Sequence, residues 1–196
     1  MKKLTIADIR SRAEYEAVRD SFRRTVLSVK EARRVAVGPY LTFLFENRDT
    51  MIYQIQEMMR VEGIDGEAAI QHEVNTYNEL VPGDHELRAT LLIEFDNETV
   101  RRVKLAELVG LEKHIALVVD RDYVVNAVFD DRQLDPAKIS SVQYIHFPLG
   151  QKAADAFMTT DYVEIVTSHP ACSYRISLSK EQLSALQADL AASGQT

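Results

Sequence analysis

The sequence changes character at Pro82-Gly83-Asp84, and this change restricts the possible folds more than any other feature. Before it, apolar residues recur every three or four positions, as over 12–32, which is the spacing of one face of a helix. After it, apolar and polar residues alternate, as over 86–95, which is typical of a half-buried strand. Helices followed by strands predict an α+β protein, because a doubly wound α/β fold would interleave the two.

The part before this change is predicted to hold three helices and two short strands. The nearly continuous apolar run 40–45 is either a strand buried on both faces or the hairpin partner of 35–37 across the turn at Gly38-Pro39. The helices are predicted over 12–32, from a cap at Asn47 or Asp49 to about Val61 with Gly63 at the end, and over 66–80 with Asp65 as the cap.

The part after the change is predicted to be mostly strands joined by short turns, which favours a largely antiparallel sheet or a partly closed barrel. Strands are predicted over 86–95, 114–119, 123–129, 139–147, 162–167 and 173–178, with a small helix over 150–158. Residues 99–109 fit either a strand or a short helix. We expect a single α+β domain over 1–196, comprising a helical part of about 1–82, a β-rich part of about 83–178 and a C-terminal helix of about 180–191.

Charge is distributed unevenly along the chain. The net charge is −7, which argues against nucleic acid or an anionic membrane surface as the main partner. Residues 1–34 nevertheless hold ten of the 23 Lys and Arg but only five of the 30 Asp and Glu, so they carry +5 and the remainder −12. Such asymmetry predicts a basic arm for phosphates, or attraction to the rest of the chain or to a second subunit in a homo-oligomer.

Cysteine usage and hydropathy indicate the compartment. Cys172 is the only cysteine, which excludes a disulfide within the chain and a Cys-rich metal site built by this chain alone. No signal-peptide pattern opens the sequence, and no apolar run approaches the ~20 residues that a membrane span needs. We therefore expect a cytoplasmic protein that does not cross a membrane.

The densest group of interacting polar residues lies between the apolar strand 40–45 and the helix after it. Tyr53, Glu57 and Arg60 share one face of that helix at i, i+4 and i+7, and Gln56 neighbours Arg60. Arg48 lies at the strand-to-helix junction, where free backbone N–H groups are available. These residues predict either a clamp for a carboxylate or another small anion, or an internal ion-pair network that fixes the helix to the sheet.

A metal site is the weaker alternative in the same region. Glu57, Glu62, His72 and Glu73 belong to two consecutive predicted helices and offer carboxylate and imidazole ligands. The Glu-x-x-His pattern of di-iron bundles is missing, and adjacent His72 and Glu73 point about 100° apart on a helix. Solvent-facing residues are the favoured interpretation, so the residues themselves predict no metal and no cofactor.

Two further groups carry weaker hypotheses. If 139–147 alternates as a strand, Tyr144 and His146 share a face, which lines either a wet pocket or simply the exposed side of a sheet. Cys172 follows His169 closely, so its thiol is either activated by the imidazole or simply solvent-facing or packed. No nucleophile elbow, Walker loop or Gly-x-Gly-x-x-Gly motif occurs, so we lean against an enzyme and predict a non-catalytic interaction or accessory protein.

The chain also resembles a bacterial family catalogued as domain of unknown function 3501. The matching segments are Arg34-Val35, Val37-Gly38-Pro39, Phe45-Glu-Asn-Arg48, Tyr53-Gln-Ile-Gln-Glu-Met58, Arg60, Glu62, Tyr77-Asn-Glu-Leu80, Pro82, Glu86-Leu87, Ala89-Thr-Leu91, Ile93-Glu94, Val142-Gln-Tyr144 and Phe147. Genes of that family lie beside those of rubrerythrin-like and iron–sulfur oxidoreductase proteins. The resemblance therefore implies a role near redox or peroxide defence with such partners. Bound iron is suggested only by these neighbouring genes.

Overall fold

The computed structural model describes residues 1–133 and 135–193. Within them, six α-helices and nine strands form, together with short 3₁₀ turns. The helices are α1 (Arg12–Glu31), α2 (Arg48–Glu62), α3 (Glu67–Asn78), α4 (Glu98–Glu107), α5 (Gly150–Thr159) and α6 (Lys180–Ser193). The strands are β1 (Arg34–Val37), β2 (Leu41–Glu46), β3 (Glu86–Ile93), β4 (Ile115–Val119), β5 (Tyr123–Asn126), β6 (Val128–Phe129), β7 (Val142–Pro148), β8 (Val163–His169) and β9 (Cys172–Ser177).

The strands form two antiparallel sheets. The first has the order β1-β2-β3-β7-β6 and the second the order β5-β4-β8-β9. Both sheets are open, so the antiparallel alternative is the one found, and the predicted α+β class with its C-terminal helix is confirmed. The prediction of one domain over the whole chain stays a prediction.

The main hydrophobic core is built from the alternating strands. On β3, Leu87, Ala89, Leu91 and Ile93 are buried, whereas the residues between them are only half-buried. The buried set joins the apolar residues of the second sheet and of α4, α5 and α6 in one cluster. The opposite face of the first sheet is therefore the more polar one, because successive side chains of a strand point to opposite sides.

A second apolar cluster joins the N-terminal segment to α2 and α3. Met51, Ile55 and Met59 lie on one face of α2 and pack with Val74 of α3 and with Leu4. Asn47 caps α2 as predicted, because its side chain accepts a hydrogen bond from the backbone N–H of Thr50. Gly63 ends α2 with φ of +67°, a conformation that glycine adopts without strain.

Two sequence predictions need correction, and one open alternative is resolved. The N-cap of α3 is Gly66, without a side-chain cap, and Asp65 instead binds Arg12 at 2.6 Å. The segment 123–129 is divided between the sheets, because the N–H of Ala127 donates to Ile115 and β6 then pairs with β7. Residues 99–109, left open above, form most of α4, which Asn97 caps.

Among the described residues, no helix combines the length and apolarity that a membrane span requires.

Candidate functional site

The predicted polar group on α2 is in contact with the N-terminal segment and α1. Arg48 donates hydrogen bonds to the carbonyls of Lys2 and Lys3 at 2.7 and 3.0 Å, and to the carboxylate of Asp8 at 2.7 Å. Gln56 is fully buried and binds both the backbone N–H and the carbonyl of Arg10. These two side chains anchor the start of the chain on α2.

Glu57 is the centre of a second set of contacts, which we call the Glu57 network and define as Tyr15, Arg19, Glu57 and Arg60. The carboxylate accepts from the Tyr15 hydroxyl at 2.6 Å, from Arg19 at 2.8 and 3.0 Å, and from Arg60 at 3.3 Å. The hydrogen bonds from Arg19 are the main reason that the pKa of Glu57 falls to about 2. Burial and the Glu57 carboxylate raise the pKa of Tyr15.

Tyr53 lies outside these hydrogen bonds. Its ring faces Phe22 at 6.3 Å, and the Lys30 ammonium lies 5.3 Å from its centroid. Arg60 keeps one buried nitrogen, Nε, without a hydrogen-bond partner among the described residues. The geometry thus matches an internal network, although it joins α2 to α1 rather than to the sheet as expected. Ligand binding by Arg48, Tyr53, Gln56, Glu57 and Arg60 stays a prediction.

The candidate metal ligands do not converge. Glu57 is held by the Glu57 network, while Glu62 and His72 are exposed. Over residues 1–133 and 135–193, no group of three or more His, Cys, Asp or Glu is placed to hold a metal ion. The proposed grouping of Glu57, Glu62, His72 and Glu73 therefore has no geometric support in this structure.

Cys172 is buried at the β8–β9 hairpin. Its Sγ lies 3.7 Å from the Thr167 hydroxyl. Both nitrogens of the His169 ring are engaged by backbone, since Nε2 lies 3.2 Å from the Val109 carbonyl and Nδ1 accepts from the N–H of Ala171. The packed-thiol alternative fits this arrangement, because the thiol faces a hydroxyl and the imidazole faces the main chain.

A cleft of about 500 Å³ lies elsewhere, between the C-terminal end of α3 and the polar face of the first sheet. We refer to it as the cleft. It has the size of a small-molecule site. Its lining combines aromatic, apolar and charged side chains from α3, β3, β6 and β7: Thr76, Tyr77, Glu79, Leu80, Arg88, Phe129, Asp130, Arg132, Gln133, Tyr144, Ile145 and His146.

The floor of the cleft is a cross-strand pair. Arg88 on β3 is directly opposite His146 on β7, and Thr90 is opposite Tyr144. Arg88 is fixed by a hydrogen bond to the Glu86 carboxylate at 2.8 Å and by another to the Glu79 carbonyl. The guanidinium is thereby held beside the imidazole, on the side that faces α3.

The electrostatics of this floor come from the Arg88–Glu86 ion pair and the His146 imidazole beside it. Burial lowers the pKa of His146, the Arg88 charge lowers it further, and Glu86 opposes both. Burial and Arg88 likewise lower the pKa of Lys3. Among the described residues, the His146 imidazole makes no hydrogen bond, so a half-buried neutral ring faces the cleft next to a fixed cation.

The mouth of the cleft is crossed by an ion-pair group. Arg132 pairs with Glu79 at the end of α3 at 2.6 Å and with Asp130 after β6 at 2.7 Å. Arg132 and Glu79 are exposed, so water screens these pairs and they add little stability. Their geometric effect is to connect the α3 wall to the sheet wall.

Sequence reasoning found only part of the cleft. Alternation placed Tyr144 and His146 on one face, and both residues line the cleft. Arg88, Arg132 and Tyr77 were missed as site residues. The signal for Arg88 is the same alternation on β3, which places it on the polar face, although its pairing with His146 is a matter of register.

The fold and the cleft define an α+β protein with two antiparallel sheets and one mixed polar and aromatic cleft. The chain belongs to the family described as protein of unknown function (DUF3501), whose model matches residues 3–190. It is also similar to a novel protein of unknown function from Burkholderia pseudomallei K96243, known from a crystal structure at 1.90 Å resolution. The two are 34% identical with a TM-score of 0.90, over 96% of this chain and 100% of that one. No curated protein matches the chain.

Proposed function

We propose that the protein binds a small organic carboxylate in the cleft and acts as a binding protein rather than an enzyme. The observation that carries this proposal is the half-buried His146 imidazole, which forms no hydrogen bond with the described residues, beside the fixed Arg88 guanidinium. A carboxylate fits this pair because Nη2 of Arg88 forms no hydrogen bond with the described residues and the imidazole offers a further donor.

The charges favour an anion. Burial and, after it, the Arg88 charge lower the pKa of His146, while Glu86 raises it. A bound carboxylate would interact favourably with the Arg88 guanidinium and with a protonated His146. Glu79 and Asp130, the acids of the lining, are already paired with Arg132 at the mouth.

The walls favour an organic body rather than a bare inorganic ion. Leu80 lines the cleft together with Tyr77 and Tyr144, whereas the side chains of Phe129 and Ile145, which also border it, belong to the main core on the other face of the sheet. Apolar walls stabilise a ligand by covering apolar surface, and inorganic phosphate has none. The lining supplies no serine or cysteine nucleophile among the described residues, which supports a binding role.

The test is a titration with benzoate, followed by calorimetry and by the NMR signal of the His146 ring. We expect binding to the wild type and a weakening of about tenfold or more in Arg88→Met, because a charged hydrogen bond is lost. Arg102→Met, an exposed change on α4, is the matched control and leaves binding unchanged. Equal binding by all three proteins would refute the site, and binding of inorganic phosphate alone would refute the organic ligand.

We propose an accessory interaction role as a second function, for which the outer face of α1 is the supporting observation. Arg23 and Arg24 are exposed and form no ion pair with the described residues, and Leu27 beside them is 43% exposed. A basic and partly apolar face suits an acidic partner. The partner classes are a second copy of the chain, as a homo-oligomer, and the rubrerythrin-like or iron–sulfur oxidoreductase proteins implied by the family resemblance.

This role is tested by mixing the purified chain with a rubrerythrin-like protein and by measuring its own molecular mass in solution. We expect an association that weakens at high salt and in the double variant Arg23→Glu and Arg24→Glu. The double variant Arg101→Glu and Arg102→Glu on α4 is the control for added negative charge. A monomer that captures no such partner at low salt would contradict the proposal.

A further inference from the structure

We infer that the ligand of the cleft is flat: an aromatic or conjugated carboxylate whose ring lies between Tyr77 and Tyr144 while its acid group meets Arg88 and His146. This inference rests on the proposed function and makes it more specific. It concerns the body of the ligand, whereas the proposed function concerns its charged end.

The two tyrosines belong to different walls. Tyr77 is near the end of α3, and Tyr144 is on β7, two residues from His146 on the same face of the strand. They are near enough for Tyr144 to contribute to the raised pKa of Tyr77, which is due mainly to burial. The described structure nevertheless contains no ring contact between them, in contrast to Tyr40 and Phe95, which stack at 4.7 Å. The two tyrosines therefore border the cleft from different walls without stacking on each other, which leaves both rings available to a ligand.

The surroundings leave the Tyr144 ring accessible and hold its backbone in place. Thr90 is the residue opposite Tyr144 on β3, and its hydroxyl bonds to Glu46, so a small side chain adjoins the ring. Both backbone groups of Tyr144 are held, since its N–H donates to the Gln133 side chain at 2.8 Å and its carbonyl accepts from the N–H of Asp130 at 3.3 Å. Tyr144 remains 38% exposed. A large aromatic side chain on the open face of a strand gains little from burial there, but it offers a ring face to a ligand.

The distance along the floor agrees with this placement. Tyr144 and His146 are two positions apart, which corresponds to about 6.6 Å along a strand. A carboxylate attached directly to a six-membered ring spans a similar length, so one molecule can reach both. Offset stacking on tyrosine strengthens binding by about two- to tenfold for each ring, compared with a saturated body of equal size.

The experiment compares benzoate with cyclohexanecarboxylate, which carries the same charge on a ring that is not flat. Calorimetric titration of the wild type is expected to give a benzoate affinity at least fivefold higher. Tyr144→Leu is expected to lower the ratio of the two affinities by about two- to tenfold, which is the contribution of one ring, while Tyr144→Phe, which keeps the ring, preserves the ratio. Tyr77→Leu should act in the same direction, but Tyr77 also packs on the second apolar cluster, so the Tyr144 pair of variants decides the matter.

The outcomes separate the two proposals. If both acids bind with equal affinity and Arg88→Met weakens both, the flat-ligand inference is overturned and the proposed function stands. If neither acid binds at millimolar concentration, the proposed function fails, and the inference fails with it. A preference for benzoate that persists unchanged in Tyr144→Leu also overturns the inference, because the rings would then not be its source.

Discussion

The Glu57 network and the cleft contain the same kinds of side chain, namely arginine, tyrosine and carboxylate, yet they differ in how those groups are bonded. Glu57 receives hydrogen bonds from three side chains of α1 and α2, which fill its lone pairs. In the cleft, the His146 imidazole has no hydrogen bond to the described residues. The first arrangement stabilises the fold, while the second leaves an imidazole nitrogen available to a ligand.

A high density of polar residues in a sequence therefore does not distinguish a ligand-binding site from a structural hydrogen-bond network. The difference lies in the central group: the Glu57 carboxylate finds its partners within the chain, although Arg60 keeps Nε without one, whereas the His146 imidazole finds none among the described residues. This difference leads to opposite expectations for substitutions in the two regions: large effects on stability in the network, and effects on binding without loss of stability in the cleft.

The largest expected effect is that of Glu57→Leu. Removing this carboxylate leaves the Tyr15 hydroxyl and two guanidinium groups without their acceptor in a partly buried place, which costs about 2–4 kcal/mol of unfolding free energy. Chemical denaturation measures the change. Glu62→Leu, on the same helix and exposed, is the control and should stay within about 0.5 kcal/mol of the wild type. Equal losses in both variants would show that the network has no special role.

The second expectation concerns acid. The pKa of Glu57 is lowered to about 2 from an ordinary value of 4.5, so the folded carboxyl stays ionised where the unfolded one takes up a proton. Its contribution to stability is complete above pH 4.5, declines as the pH falls, and is lost below about pH 2. Denaturation curves between these limits should show a steeper loss for the wild type than for Glu57→Gln. Parallel loss in both proteins would assign the acid sensitivity to other carboxyl groups.

Particular residues show why sequence reasoning reached one region better than the other. The helical period correctly made Glu57 and Arg60 neighbours. It could not supply Tyr15 and Arg19, which come from α1, because the packing of two helices is not encoded in the spacing of either one. With α2 alone in view, Glu57 and Arg60 therefore resembled a clamp for a ligand, because the contacts from α1 were not visible in the sequence.

Prediction of the cleft from sequence is limited in the same way, by the pairing of two elements, which here are strands. Alternation placed Tyr144 and His146 together, but Arg88 lies opposite His146 only through the register of β3 with β7, two strands that are far apart in sequence. The change of sheet at Ala127, which brings Phe129 and Asp130 to the cleft, depends on a backbone hydrogen bond to Ile115 that no residue pattern reveals. The order of secondary structure was accessible from local periodicity, whereas the cleft required tertiary pairing.

A smaller effect is expected from pH on binding in the cleft. Because the pKa of His146 is lowered, the ring is neutral near pH 7 and gains a proton only on acidification. Protonation adds a charged donor for a carboxylate, so benzoate should bind about fivefold more tightly as the pH falls, as long as the ligand stays ionised. Calorimetry across this range measures the change. In His146→Gln the affinity should not vary with pH, and an unchanged pH dependence in that variant would assign the proton to another group.

The smallest expected effect is that of His146→Gln on stability. The imidazole forms no hydrogen bond with the described residues, and its lowered pKa makes it slightly unfavourable for folding below pH 6.5, where the unfolded ring takes up a proton more readily. Replacement should therefore change the unfolding free energy by no more than about 0.5 kcal/mol at pH 7, with a small gain under mild acid. His72→Gln, an exposed change on α3, serves as the control in the same denaturation experiment. A loss comparable to that of Glu57→Leu would mean that His146 is a structural group, and the contrast between the bonded network and the open cleft would no longer hold.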